Sequence, residues 1–203
     1  MNNKINNNEH PYVDLGLPSG TLWATCNVGA NKPTDYGFYF QWGDTIGYND
    51  DQVGKDEGQK RFLYDDYRWY SGGKVTKYIT YGTTLELEDD AANAHMGGDW
   101  HMPSPDQIQE LLDNATITWT TQDGTRGITF TSKKCTSKSI FIPAAGFAFD
   151  GSVLSSGTEA GVWTSMLDTD DVYGGQYLYF YSGSIYLCSN FRYYGFSVRG
   201  VIG

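Results

Sequence analysis

The chain has 203 residues, 39% hydrophobic and 16% aromatic, with a formal net charge of −10 and an isoelectric point of about 4.5. Nucleic acid and anionic membranes both need a basic footprint, so neither is expected as a partner. No apolar run reaches the ~18 residues of a membrane-spanning helix, and the opening MNNKINNNEHPYVDLG lacks the apolar stretch of a secretory signal.

Residues 1–10 are asparagine-rich and polar, which predicts a disordered tail ahead of one domain spanning residues 11–203. Short strand patterns separated by glycines follow, at GTLWATCNVG and GFYFQWG. LELEDDAANAHMGG predicts a helix, acidic at its front and ending near Gly97. PSPDQIQELLDN predicts a second: Ser104 as N-cap, Pro105 at the first position and Gln107 closing a capping box. Its Ile108, Leu111 and Leu112 share one face. Further strands are expected at GITFTS, SIFIPAAGF, GVWTSM, QYLYFY, SIYLC and YYGFSVRGV. Two helices among many short antiparallel strands predict an α+β domain.

Chemistry-bearing motifs are sparse. Cys26, Cys135 and Cys188 are far apart, odd in number and form no CxxC, so three isolated thiols are expected. His10, His95 and His101 show no zinc spacing. No nucleophile elbow, phosphate loop or dinucleotide fingerprint occurs. Paired acids at Asp50–Asp51, Asp65–Asp66 and Asp168–Asp171 read as solvated loops, and the EF-hand pattern is missing. No catalytic residue, metal or cofactor is expected.

The C-terminal stretch stands apart. Seven of the 16 tyrosines lie between Tyr173 and Tyr194, among serines, glycines and asparagines. In period two, Leu178 and Phe180 face one way while Tyr177, Tyr179 and Tyr181 face the other. Tyrosine gives large, rigid contact area and small polar residues give adaptable hydrogen bonds, as in antibody paratopes. Tyrosines lining a half-buried sheet are the competing reading, and composition does not separate the two.

Six ordered blocks carry a resemblance that does. YVDLGLPSGTLWATCNVGA, YGFYFQWGD, LEDDAANAHMGGDWHMPSPDQIQELLDN, SIFIPAAG, GVWTSM and RYYGFSVRGV together resemble Fibrobacter succinogenes major paralogous-type domains of gut Bacteroidales. Two blocks depart from that pattern: GGDWHMPSPDQ replaces an arginine-containing WRMPT block, and SVRGV replaces SVRPV. The resemblance implies a C-type lectin-like (formylglycine-generating-enzyme-like) fold. It also implies kinship with the variable proteins of diversity-generating retroelements, whose C-terminal segments are rewritten at adenines and displayed for binding. Rewritten AAY codons cannot give Trp, Met, Gln, Lys or Glu, and from Leu167 to Phe191 only Gln176 falls in that excluded set.

The expected function is therefore ligand binding, by a receptor-binding component of a phage tail or a bacterial surface adhesin, against a protein or glycan on a target cell. The expected ligand surface comprises Leu167, Asp168, Asp170, Asp171, Val172, Tyr173, Tyr181, Ser184, Tyr186, Leu187, Ser189, Asn190 and Phe191. Trp163, Ser165, Tyr179, Phe180, Gly195 and Arg199 are expected as scaffold. Two other readings stay open: a calcium-dependent glycan lectin using the DTDD acids, and a relative of the formylglycine-generating oxidases.

Overall fold

The computed structural model describes residues 10–54 and 61–203; the tail expected over residues 1–10 lies outside them except for His10. In chain order the elements are β1 Tyr12–Asp14, β2 Leu22–Ala24, β3 Tyr70–Ser71, β4 Lys74–Val75, α1 Ala91–Met96 and α2 Pro105–Asn114, followed by β5 Ala115–Gln122, β6 Thr125–Ser132 and β7 Ser139–Pro143. The C-terminal part holds β8 Phe147–Phe149, β9 Ser152–Leu154, β10 Glu159–Leu167, β11 Gly174–Tyr181, β12 Ser184–Phe191 and β13 Val201–Ile202. They build five small antiparallel sheets, ordered β1-β2-β13, β3-β4, β5-β6-β7, β8-β9 and β10-β11-β12.

Strand makes up 39% and helix 12%, so the molecule is mostly β, and the α+β lectin-like class expected from the sequence is corrected. The two expected helices are present but short, at six and ten residues. Helix α2 begins as its sequence dictates: the Ser104 hydroxyl accepts from the Gln107 amide at 3.2 Å, and the Gln107 side chain accepts from the Ser104 amide at 2.9 Å. Helix α1 starts on Asp90, whose carboxylate accepts from Asn93 N–H and, with its other oxygen, from Met102 N–H at 2.7 Å. It ends at Gly97 with φ 68°.

Two expected strands do not form. GFYFQWG and most of YYGFSVRGV run as extended chain between sheets, bridging single residues of different neighbours, Phe40 to Phe196, Ala148 to Gly195 and Val162 to Ser197. Each residue borrows a different partner, so no ladder builds up. A strand absent from the expectations, β5, forms a hairpin with β6 over eight residue pairs. Its turn is Asp123–Gly124, both at positive φ, a combination that matches the twist of paired strands.

The sheet β10-β11-β12 positions everything that follows. Successive residues of β10 and β11 enter two different cores. Val162, Leu178 and Phe180 pack with Ile108 and Leu111 of α2 and with β6 and β7. Trp163, Leu167 and Tyr177 join Phe40, Trp42, Phe196 and Val198 on the other side. Tyr177, which alternation puts on the face opposite Leu178, is therefore buried, stacked on Phe196 at 4.5 Å. Two glycines make this second core fit. A Cβ on Gly161 would meet Phe196 at 2.3 Å, and one on Gly175 would meet the Trp42 indole at 2.7 Å. The buried indoles of Trp42 and Trp163 donate to Thr164 O and Phe40 O, so neither leaves a stranded polar group.

Candidate functional site

Strand β12 is an outer strand of its sheet, paired with β11 in unbroken register from Gly174–Phe191 to Tyr181–Ser184. Its two ends lie roughly 20 Å apart, and the expected site residues divide between them. At the turn end, Tyr181 and Tyr186 are 39% and 46% exposed, with Ser184 beside them. Their rings flank Tyr179, at 5.8 and 5.4 Å, and the Tyr179 hydroxyl bonds Glu159. At the far end are Asp168, Asp170, Asp171, Tyr173, Ser189, Asn190 and Phe191.

Three expected residues belong elsewhere. Leu167 has no exposed area and packs in the second core, so its side chain cannot meet a ligand. Leu187 is half-buried against the first core, because its place in the alternation puts it on that face. Val172 is half-buried against the second core and contributes its carbonyl to a strap described below. Of the residues expected as scaffold, Trp163, Ser165, Phe180, Gly195 and Arg199 are buried and Tyr179 is half-buried.

The loop 168–173 is shaped by its own acids. Asp168 Oδ1 accepts from the amides of Asp170 and Asp171 at 2.6 and 3.1 Å, and Asp171 Oδ1 accepts from Tyr173 N–H at 2.8 Å. Burial alone would raise the Asp168 carboxyl, but bonds from the Ser189 hydroxyl and those two amides outweigh it and hold the group below its usual range. Asp168, Asp171, Ser189, Asn190 and Phe191 wall a cavity of about 210 Å³.

Beside that cavity lies an aromatic shelf that sequence reasoning only half found. Tyr64 is its hub, with ring centroids 4.6 Å from Tyr70, 4.1 Å from Tyr193, and 6.0 Å from both Tyr173 and Phe191. Phe191 stacks on Tyr193 at 5.5 Å, and Phe149 extends the row at 6.2 Å from Tyr193. Tyr173 and Phe191 were expected at the site; Tyr64, Tyr70, Phe149 and Tyr193 were not. The available signal was LYDDYRWY, whose acids attract attention before its aromatics do. Burial pushes the hydroxyls of Tyr64 and Tyr193 still further above neutral pH, where a tyrosine is protonated and able to donate in any case.

Two devices hold Tyr64 in place. Asp66 accepts from the amides of Phe62 and Leu63, at 2.8 and 2.7 Å, and so fixes the short 3₁₀ turn Tyr64–Asp66. The second is Arg192, wholly buried at the end of β12. Its guanidinium donates to Tyr67 Oη, Tyr78 O, Val172 O and Lys77 O at 2.8–3.2 Å. One side chain thus straps the loop carrying Tyr64 and Tyr70, and the loop carrying Tyr173, to the end of β12. Arg199 does the same deeper in the molecule, bonding Asn27 Oδ1, Ala24 O and Phe141 O, with burial lowering its pKa to about 10.

Other places offer less. A larger cavity of about 640 Å³ borders residues 24–33 and His95, but Asn27 is committed to Arg199 and Tyr36 O, and His95 to Thr45 O. Among the described residues, the group of acids close enough to share a metal ion is Glu86, Glu88 and Asp89, and the Lys77 ammonium already sits 2.5–3.3 Å from all three. Cys26, Cys135 and Cys188 are each free. No described helix is long and apolar enough to cross a membrane. No family model, curated protein or solved structure matches this chain.

Proposed function

We propose that the protein is a ligand-binding module whose binding surface is the aromatic shelf and the adjoining cavity at the Phe191 end of β12. One observation carries this reading. Tyr64, Tyr70, Phe149, Tyr173, Phe191 and Tyr193 contact one another at the surface yet belong to none of the three core clusters. Phe191 alone leaves 43% of its surface in water. Rings gathered outside the core clusters, backed by Tyr194 at the edge of the second core and carried on loops strapped by a buried arginine, suit a preorganised contact surface, since aromatic anchors dominate binding hot spots. The resemblance of the sequence blocks to retroelement-diversified variable proteins supports the same reading. So does the near-complete fit of residues 167–191 to rewritten AAY codons. On that basis the ligand is a protein or glycan of a target cell surface, and the carrier is a phage tail or a bacterial surface.

The test is binding of the labelled protein to a panel of intact gut bacterial cells. Phe191→Ala and Tyr193→Ala should each abolish binding to any cell the wild type recognises, while Tyr186→Ala, at the opposite end of the strand, should leave it in place. Equal loss with Tyr186→Ala, or none with the shelf variants, would place the surface elsewhere. A neighbouring reverse transcriptase gene, with a copy of the 3′ end differing only at adenines, would establish diversification.

A further inference from the structure

The surroundings of the shelf specify the charge of what it holds. Elsewhere in this chain, five described rings, Trp42, Tyr48, Tyr67, Trp69 and Tyr78, lie against the chain's own cations. Arg61 lies 4.0 Å over Tyr48, Arg68 4.5 Å over Trp69, and Arg192 5.1 Å over Trp42. Among the described residues, no arginine or lysine lies over Tyr64, Tyr70, Phe149, Tyr173, Phe191 or Tyr193. The groups beside these rings are anionic. Asp168 and Asp171 wall the cavity with Phe191, and behind burial and Tyr193 the Asp171 charge adds to the rise of the Tyr64 hydroxyl. Neither acid forms an ion pair with a described residue. Aromatic faces carry negative charge and attract a cation held within about 6 Å, each such contact being worth about two- to thirty-fold in affinity. The net charge of −10 adds long-range attraction of the same sign.

We propose that the shelf receives a cationic side chain, arginine or lysine, of a protein partner, its charge matched by Asp171 and Asp168 and its apolar stem lying along Phe191 and Tyr193. This rests on the shelf being the ligand surface and names the group it takes. A planar guanidinium suits the site best, because it stacks on rings and bridges a carboxylate with two N–H groups at once.

Capped arginine amide and capped citrulline amide serve as probes in protein-observed NMR titrations; citrulline keeps the shape and removes the charge. Arginine amide should shift the signals of Tyr64, Tyr173 and Phe191 saturably, with citrulline amide about tenfold weaker. Asp171→Asn keeps the Oδ1 acceptor for Tyr173 N–H, so the loop retains its shape. It should bring arginine down to the citrulline level, whereas Asp106→Asn on α2 should change nothing. Equal binding of the two amides, no saturation by either, or a response to choline but not to arginine would each overturn the assignment. A cell-surface ligand that is lost with Phe191→Ala but indifferent to Asp171→Asn would leave the binding module standing and remove only the cation.

Discussion

Arg192 is charged, wholly buried and, among the described residues, without a carboxylate partner, so its place is explained by hydrogen bonds and by the rings of Trp42 and Tyr67 against its guanidinium. It answers three carbonyls from two loops, and each buried carbonyl left without a donor costs about 1–3 kcal/mol. Arg192→Ala should therefore lose at least about 3 kcal/mol in urea unfolding. Arg192→Lys should recover little of this, because a single ammonium cannot reproduce the planar fork. A loss below about 1 kcal/mol for Arg192→Ala would mean that the loops hold themselves. Asp168 makes the complementary case with a pH signature. Its folded-state pKa lies below its ordinary value of 3.8, so its contribution to stability is present above that value and is lost as pH falls below it. Asp168→Asn should thus be less stable than wild type at neutral pH, and the gap should close in denaturation curves taken below pH 3.8. A gap independent of pH would rule out the charge as the cause.

The hairpin β11–β12 shows how unequal two adjacent strands can be. Phe180, in the middle strand of the sheet, has no exposed surface; Phe191, on the outer strand, has 43%. Phe180→Ala should cost about 3–5 kcal/mol through the cavity it leaves, whereas Phe191→Ala should stay within about 0.5 kcal/mol. Comparable losses from the two substitutions, measured by chemical denaturation, would make the shelf a core and end its reading as a contact surface. Much of this element-level logic can be read from the sequence wherever the determinants are local. The capping box at Ser104 and Gln107, the glycine stop at Gly97 and the alternation placing Leu178 and Phe180 inward are examples. β5 was equally local, since ATITWTTQ runs into Asp123–Gly124, yet its threonine-rich face does not look like a strand bound for a core. What local pattern cannot supply is the second core. Period two puts Tyr177 opposite Leu178, but that its face meets Phe196 and Trp42 depends on chain distant in sequence and on the space left by Gly161 and Gly175. The shelf is hidden for the same reason, as Tyr64 and Phe191 lie far apart along the chain and Arg192 joins the segments that carry them.

At the scale of the whole molecule, the separation of cores from shelf sets how much of the C-terminal segment can be rewritten. Side chains at Asp170, Asp171, Tyr173, Tyr181, Tyr186, Ser189 and Phe191 belong to no core cluster. At about 0.5 kcal/mol each, seven unfavourable changes add to roughly 3.5 kcal/mol, below the ~5–15 kcal/mol that a domain of ordinary stability has in hand. Leu167, Leu178 and Phe180 are different: truncating all three would remove about 7–15 kcal/mol, enough to unfold it. A library randomised with NNY codons at those seven positions should consequently give mostly folded, protease-resistant clones. One randomised at Leu167, Tyr177, Leu178 and Phe180 should give few, and its survivors should be large and apolar. The two libraries fall within one stretch of chain, residues 167–191, and differ in whether the side chains enter a core, so their contrast isolates the architecture. Were the first library to lose folding as often as the second, the end of β12 would be bearing the fold, and a diversified surface could not be built there.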